Sequence, residues 1–258
     1  MHIIDTDAHP PFGTIEVGSI GTLTAALFFE RLQKARIGMA TGTLLLPPEL
    51  SAASLSEDAL RCVNAAALSL AHIYPDRYQP GIHVNPDFPE CSCQEIVRYA
   101  DRGVRILGEI QSDWLADAHY QKPLYDIFSC AEQYGMTVSV HPQTSDHLQM
   151  WAQKFPSLKF MYGSRECRSI TPDQSAALLG EYPNLYLRLS QDIFLGNYYL
   201  YSYVNRFPIR QLLFGSGYPL CNPAARTAAC LWELRDQTEE IKRKIFHENA
   251  VSCLSGEA

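Results

Sequence analysis

The stretch Ile3-Ile4-Asp5-Thr6-Asp7-Ala8-His9-Pro10 decides how this chain is read. Two apolar residues run into a polar cluster, the pattern of a short buried strand that ends at a site. Residues two apart on a strand share a face, so Asp5, Asp7 and His9 are expected to point the same way. Carboxylates and an imidazole on one face can ligate a metal or move protons. The same residues can also cap a turn, with His9 as an ordinary loop histidine. The remainder of the chain has to separate these readings.

Outward from that start, short apolar runs alternate with longer amphipathic ones. The strands expected after the first are 41–46, 78–84, 104–110, 136–140, 158–162, 185–189 and 211–214. Between them fall helical patterns over 24–36 (closed by Gly38), 57–73, 94–102, 123–134 and 146–155, one opened by Thr171-Pro172-Asp173, and one over 194–204. The chain from Ala224 onward also reads as helical. In the 57–73 segment, Leu60, Val63, Ala67, Leu70 and Ala71 fall on one stripe. Thr171 is a hydroxyl N-cap with proline in the first turn. Eight strands separated by helices imply parallel pairing, because each return crossing needs a helix. The expected fold is α/β, a single (β/α)8 TIM barrel over residues 1–258. An open dinucleotide-binding sheet is the lesser alternative, since no G-x-G-x-x-G follows a strand.

Composition narrows the classes. The chain has 258 residues, 47% of them hydrophobic and 19% charged, enough for a large core and too few charges for disorder. A net charge of −7 and no lysine/arginine-rich run argue against nucleic acid as a partner. No apolar stretch reaches the length of a membrane span, and the acidic start lacks the basic and apolar regions of a signal peptide. Cytoplasmic location is the expectation. The eight cysteines are scattered, and Cys91-Ser92-Cys93 has no second pair at zinc-site spacing.

In a parallel barrel the chemistry sits at the C-terminal strand ends. Those ends carry Asp7 and His9, His83, Glu109, His141, Ser164, and Ser216-Gly217. Histidines and carboxylates converging on one concave mouth suit Zn, Mn or Fe. The metal candidates are therefore Asp7, His9, Glu109 and His141, and the proton-transfer candidates Asp7 and Glu109. His83 is a candidate substrate contact whose simpler reading is a satisfied core histidine. Glu109 has the simpler alternative of an ion pair with Arg105.

Several of these segments together resemble the amidohydrolase superfamily, in particular its metal-dependent TIM-barrel hydrolases and decarboxylases. They are Ile4-Asp5-Thr6-Asp7-Ala8-His9, Asn64 with Tyr74-Pro75-Asp76-Arg77-Tyr78, Gly108-Glu109-Ile110, Val138-Ser139-Val140-His141-Pro142, Phe155-Pro156-Ser157-Leu158-Lys159, Leu213-Phe214-Gly215-Ser216-Gly217-Tyr218-Pro219, and Asn249-Ala250. The resemblance implies two histidines at the first strand, where this chain has Asp7 and His9. It implies a histidine after the fifth strand, matched by His141, and another after the sixth, where Ser164 stands. It also implies a metal-binding aspartate after the eighth, where Gly217 stands. Two positions are kept, one is exchanged for another possible ligand, and two are lost.

The resemblance implies a metal-dependent hydrolase or decarboxylase of a small, carboxylate-bearing substrate, with one divalent ion, zinc first and manganese or iron next. The altered ligand set also admits a degenerate, metal-free homologue that binds a small molecule or serves in an assembly. Arg165, with Glu166 and Arg168, stands where the histidine loop would be. Arg165 could hold a substrate carboxylate, or pair internally in place of a metal. The run Asn197-Tyr198-Tyr199-Leu200-Tyr201-Ser202-Tyr203 is either an amphipathic helix on the barrel or a homodimer face.

Overall fold

The computed structural model describes residues 2–111, 113–114, 117–163, 170–190, 200–201 and 204–255. Its main sheet has eight parallel strands in chain order: β1 (Ile3–Asp5), β4 (Ile37–Gly42), β5 (Tyr78–Ile82), β6 (Ile106–Ile110), β7 (Thr137–Val140), β8 (Lys159–Tyr162), β9 (Leu185–Arg188) and β10 (Leu212–Leu213). The last strand returns to the first. Thr6 donates from its backbone N–H (2.9 Å) and its hydroxyl (2.8 Å) to the Phe214 carbonyl, and His9 N–H donates to the Tyr218 carbonyl at 2.9 Å. Ala8 bridges Tyr218 in parallel. This is the expected TIM barrel.

Two apolar layers follow from strand alternation. One side of the strands packs on the helices in a large cluster that includes Phe28, Leu60, Ile127, Phe128 and Trp151. Ile4, Ile106, Met161 and Leu213 point inward and form a second cluster with Ala250, Cys253 and Leu254 of the final helix, Asn249–Leu254. That helix stoppers the base of the barrel. Asn249 pins it by donating to the carbonyls of Ile209 (2.6 Å) and Leu212 (2.8 Å).

Most helices fall where the periodicity places them. Glu57–Ile73 matches its predicted limits, and Thr171 caps Pro172–Glu181 in a reciprocal box with Gln174. Three segments differ. A short hairpin, β2 (Ile15–Val17) with β3 (Gly21–Leu23), was not foreseen. The first helix stops at Lys34 because Arg36 takes the left-handed turn (φ 61°) that the sequence suggested for Gly38. The second barrel strand therefore starts at Ile37, and Leu44–Leu46 lie beyond it instead of inside it. The chain after Ala224 is broken between Glu233 and Glu239. The expected helix over 194–204 falls largely outside the described residues, as do Ser164, Arg165, Glu166 and Arg168.

Candidate active site

The pocket at the barrel mouth has a volume of about 410 Å3. Its floor holds Asp7, His9, Glu109 and His141, and Leu44, Leu46, Trp114 and Leu220 form much of an apolar wall. Four predicted residues thus converge. They do so as two imidazole–carboxylate pairs, His9 Nε2 to Asp7 Oδ1 at 3.3 Å and His141 Nε2 to Glu109 Oε2 at 2.5 Å.

Asp5 does not join them. It is fully buried below the floor, where its Oδ1 accepts from the N–H of Asp7 (3.1 Å) and of Ser216 (2.9 Å). It stitches the first strand to the loop after the last. Burial pushes its carboxyl up to about 6, against the hydrogen bonds from Ser216 and Asp7.

His83 lines the pocket but is held from outside it. Its backbone N–H donates to Asn64 Oδ1 (2.8 Å), and Asn64 Nδ2 donates to the His83 carbonyl and to Glu95 (both 3.1 Å). Its Nε2 lies 2.9 Å from the Leu44 carbonyl, and burial lowers it to about 4, so the ring is neutral at physiological pH. Nδ1 has no hydrogen-bond partner among the described residues and is left as an acceptor. The satisfied-histidine reading describes Nε2 and the backbone of His83.

The residue that sequence reading missed is Arg188. It ends β9 with 1% of its surface exposed. Its guanidinium reaches across the barrel interior. Nη1 lies 3.5 Å from Asp7 Oδ1, 3.4 Å from Glu109 Oε1 and 3.4 Å from the Thr6 carbonyl, and Nη2 lies 3.4 Å from Glu109 Oε2. Glu109 is thus paired with Arg188 and His141, and Arg105 turns instead to the carbonyls of Ala100 and Val104. Gly215 makes room beside this arm. A Cβ there would come within 2.7 Å of Asp7 Cβ and 3.7 Å of Arg188 Cβ. A signal existed in Leu185-Tyr186-Leu187-Arg188: strict alternation puts Tyr186 and Arg188 inside, where an arginine needs a partner.

The charges follow. Burial alone would raise Asp7, but the Arg188 guanidinium and the His9 hydrogen bond outweigh it and hold the carboxyl at about 2. Burial likewise opposes ionisation of Glu109, and Arg188 and His141 keep it well below the usual range. His9 is pushed down by burial and pulled further up by its bond to Asp7 and the charges of Glu109 and Asp7. Its geometry agrees: Nδ1 faces the Thr43 carbonyl at 3.1 Å and Nε2 faces Asp7, two acceptors that only an imidazolium satisfies together.

Among the described residues this donor set does not fit a resident divalent ion. Among the described residues no three histidine, cysteine or carboxylate side chains are disposed to share one. Both carboxylates already face a buried guanidinium. Gly217 (φ 71°) offers no ligand in the place of the expected aspartate, and a Cβ on it would lie 3.8 Å from Asp7 Oδ2. Cys91 and Cys93 sit in the helix Pro89–Ala100, away from the mouth.

The fold has close counterparts among solved structures. An uncharacterised TIM-barrel protein from Bordetella bronchiseptica is 20% identical, with 99% of each chain covered and a TM-score of 0.74. The 2,6-dihydroxybenzoate decarboxylase from Rhizobium is 12% identical over 99% of each chain, with a TM-score of 0.69. The 5-carboxyvanillate decarboxylase from Novosphingobium aromaticivorans, complexed with manganese and 4-hydroxy-3-methoxy-5-nitrobenzoic acid, is 17% identical over 88% of this chain and 78% of its own, with a TM-score of 0.66. No curated protein sequence matches. The amidohydrolase family profile matches residues 49–254, from the loop before Glu57–Ile73 to the helix that stoppers the barrel, so the chain belongs to the amidohydrolase family.

Proposed function

We propose that the chain is a decarboxylase or hydrolase of a small acid with a flat apolar body, working at the mouth pocket. The carrying observation is the two imidazole–carboxylate pairs facing one pocket whose wall is apolar. Two fold relatives are decarboxylases of substituted benzoates by name, and an aromatic acid suits a wall containing Leu44, Leu46 and Trp114. The metal-activated chemistry that the family resemblance implies is not part of this reading, because Arg188 already faces both carboxylates.

The His9 imidazolium is the proton source. When the bond from ring carbon to carboxyl carbon breaks, its electron pair stays on the ring carbon. His9 protonates that carbon, carbon dioxide leaves, and the imidazole regains a proton from water. In the hydrolytic version His141, oriented by Glu109, takes a proton from the water that adds to the ester carbonyl; the acyl–oxygen bond then breaks and the leaving oxygen takes that proton from His141. General acid–base steps of this kind are typically worth about 10²–10⁴-fold.

The test is carbon dioxide release and ultraviolet absorbance over a panel of hydroxy- and methoxybenzoates and cyclic ester acids, with wild type, His9→Asn and His141→Asn. Turnover that falls about 10²-fold or more in one variant supports the reading. Turnover untouched by both variants places the chemistry elsewhere. Gly217, which has no side chain to act as a base, favours a second reading, a binder without turnover. Calorimetric binding of an acid with no product from any of the panel is its signature.

A further inference from the structure

We propose that Arg188 is the permanent cation of this pocket, standing where such carboxylates and imidazoles would hold a divalent ion, so that removing it creates a metal site the wild-type chain lacks.

Arg188 leaves the seventh strand of the barrel and ends between carboxylates of the first and fourth, Asp7 and Glu109. Both guanidinium Nη atoms face Glu109, one per carboxylate oxygen, in the fork geometry that arginine supplies and lysine does not. The Thr6 carbonyl lies a further 3.4 Å from Nη1. These are oxygens that a hard or borderline cation would take. A divalent ion bound to either carboxylate would lie within a few ångströms of a fixed positive charge that cannot lose its proton.

The surroundings are shaped for the arm. Gly215 has no Cβ to press on Asp7, the carboxylate that the arm faces. Gly217 leaves the expected ligand position empty of donor atoms. The exchange at Asp7, the losses at Ser164 and Gly217 and the presence of Arg188 belong together. Losing donors lowers affinity for a metal, and the guanidinium supplies the positive charge that the remaining carboxylates require.

The experiment is metal retention by purified protein, with no activity readout. Wild type, Arg188→Ala and Arg188→Ala with His141→Ala are incubated with about ten equivalents of Zn²⁺ or Mn²⁺, desalted and analysed for metal. Co²⁺ absorption reports coordination in parallel. Wild type should retain less than about a tenth of an equivalent. Arg188→Ala should retain close to one, lost again in the double variant. Wild type that holds one equivalent, lost in His141→Ala, overturns the proposal. So does a folded Arg188→Ala that retains no more than wild type. If Arg188→Ala does not fold alone, refolding with and without Zn²⁺ decides: recovery only with the ion supports the proposal, and equal yields count against it.

Discussion

Replacing Arg188 by methionine should be among the most destabilising single changes in the chain, and its cost should depend on pH. Methionine keeps much of the volume and removes the charge. Asp7 drops from 3.8 to about 2 against the opposing effect of burial, with Arg188 and His9 sharing the lowering; at 1.36 kcal/mol per unit that net drop is about 2 kcal/mol, and Arg188 is its largest favourable cause. Glu109, also held well below its usual range, adds to it. The total is expected at about 3–5 kcal/mol, the usual cost of leaving a buried charge without its partner. The sign with pH follows. In wild type the depressed carboxylates contribute stability that is present above their unfolded value and lost as pH falls through the folded one. In the variant burial acts on them without the guanidinium and raises both, so the penalty is felt at neutral pH and relieved by acid. Urea unfolding of both proteins between about pH 7 and pH 4 should show a gap that narrows toward acid. Adding Asp7→Asn and Glu109→Gln should recover much of it. A gap under about 1 kcal/mol at pH 7, or one constant down to pH 4, refutes the reasoning.

Other expectations are independent of Arg188. Asp5, raised to about 6, binds its proton more tightly folded than unfolded, so its contribution to stability declines as pH rises from about 4 to 6. Asp5→Asn should flatten thermal stability over that window. Asn64→Ala leaves the His83 backbone N–H and carbonyl and one oxygen of Glu95 without their Asn64 partner and should cost about 1–3 kcal/mol by denaturant melt. Gly215→Ala forces a Cβ against Asp7 and should cost about 1–3 kcal/mol while weakening acid binding in calorimetry. If His9 is the proton source, turnover should fall as pH rises through its raised value. A profile flat across the neutral range would remove His9 from the chemistry.

The barrel was legible because its signals are local. Helical periodicity and caps such as Thr171-Pro172 fix elements one at a time, and their alternation leaves few topologies. The histidines and carboxylates were legible because they sit at strand ends, where parity and position coincide. Three things were less so. Asp5 shares the parity of Asp7 and His9, yet the closing of the barrel puts it under the Ser216 loop. Leu44–Leu46 read as strand and serve as wall, because a non-glycine residue, Arg36, makes the turn. Arg188 is a partner defined by three dimensions: the nearest acid in sequence is Asp192, yet the carboxylates it faces are Asp7 and Glu109, from two other strands. No helix among the described residues is long and apolar enough to cross a membrane, as composition suggested.

The arrangement around Arg188 also orders events in time. Glu109 lies 79 residues before the arginine, and Thr6, next to Asp7, 182 before it. During synthesis the carboxylate half of the pocket is complete long before its counterion emerges from the ribosome. Until the seventh strand arrives, Asp7 and Glu109 have only His9 and His141 as partners. A chain stopped short of that strand keeps its acids in water and its mouth open.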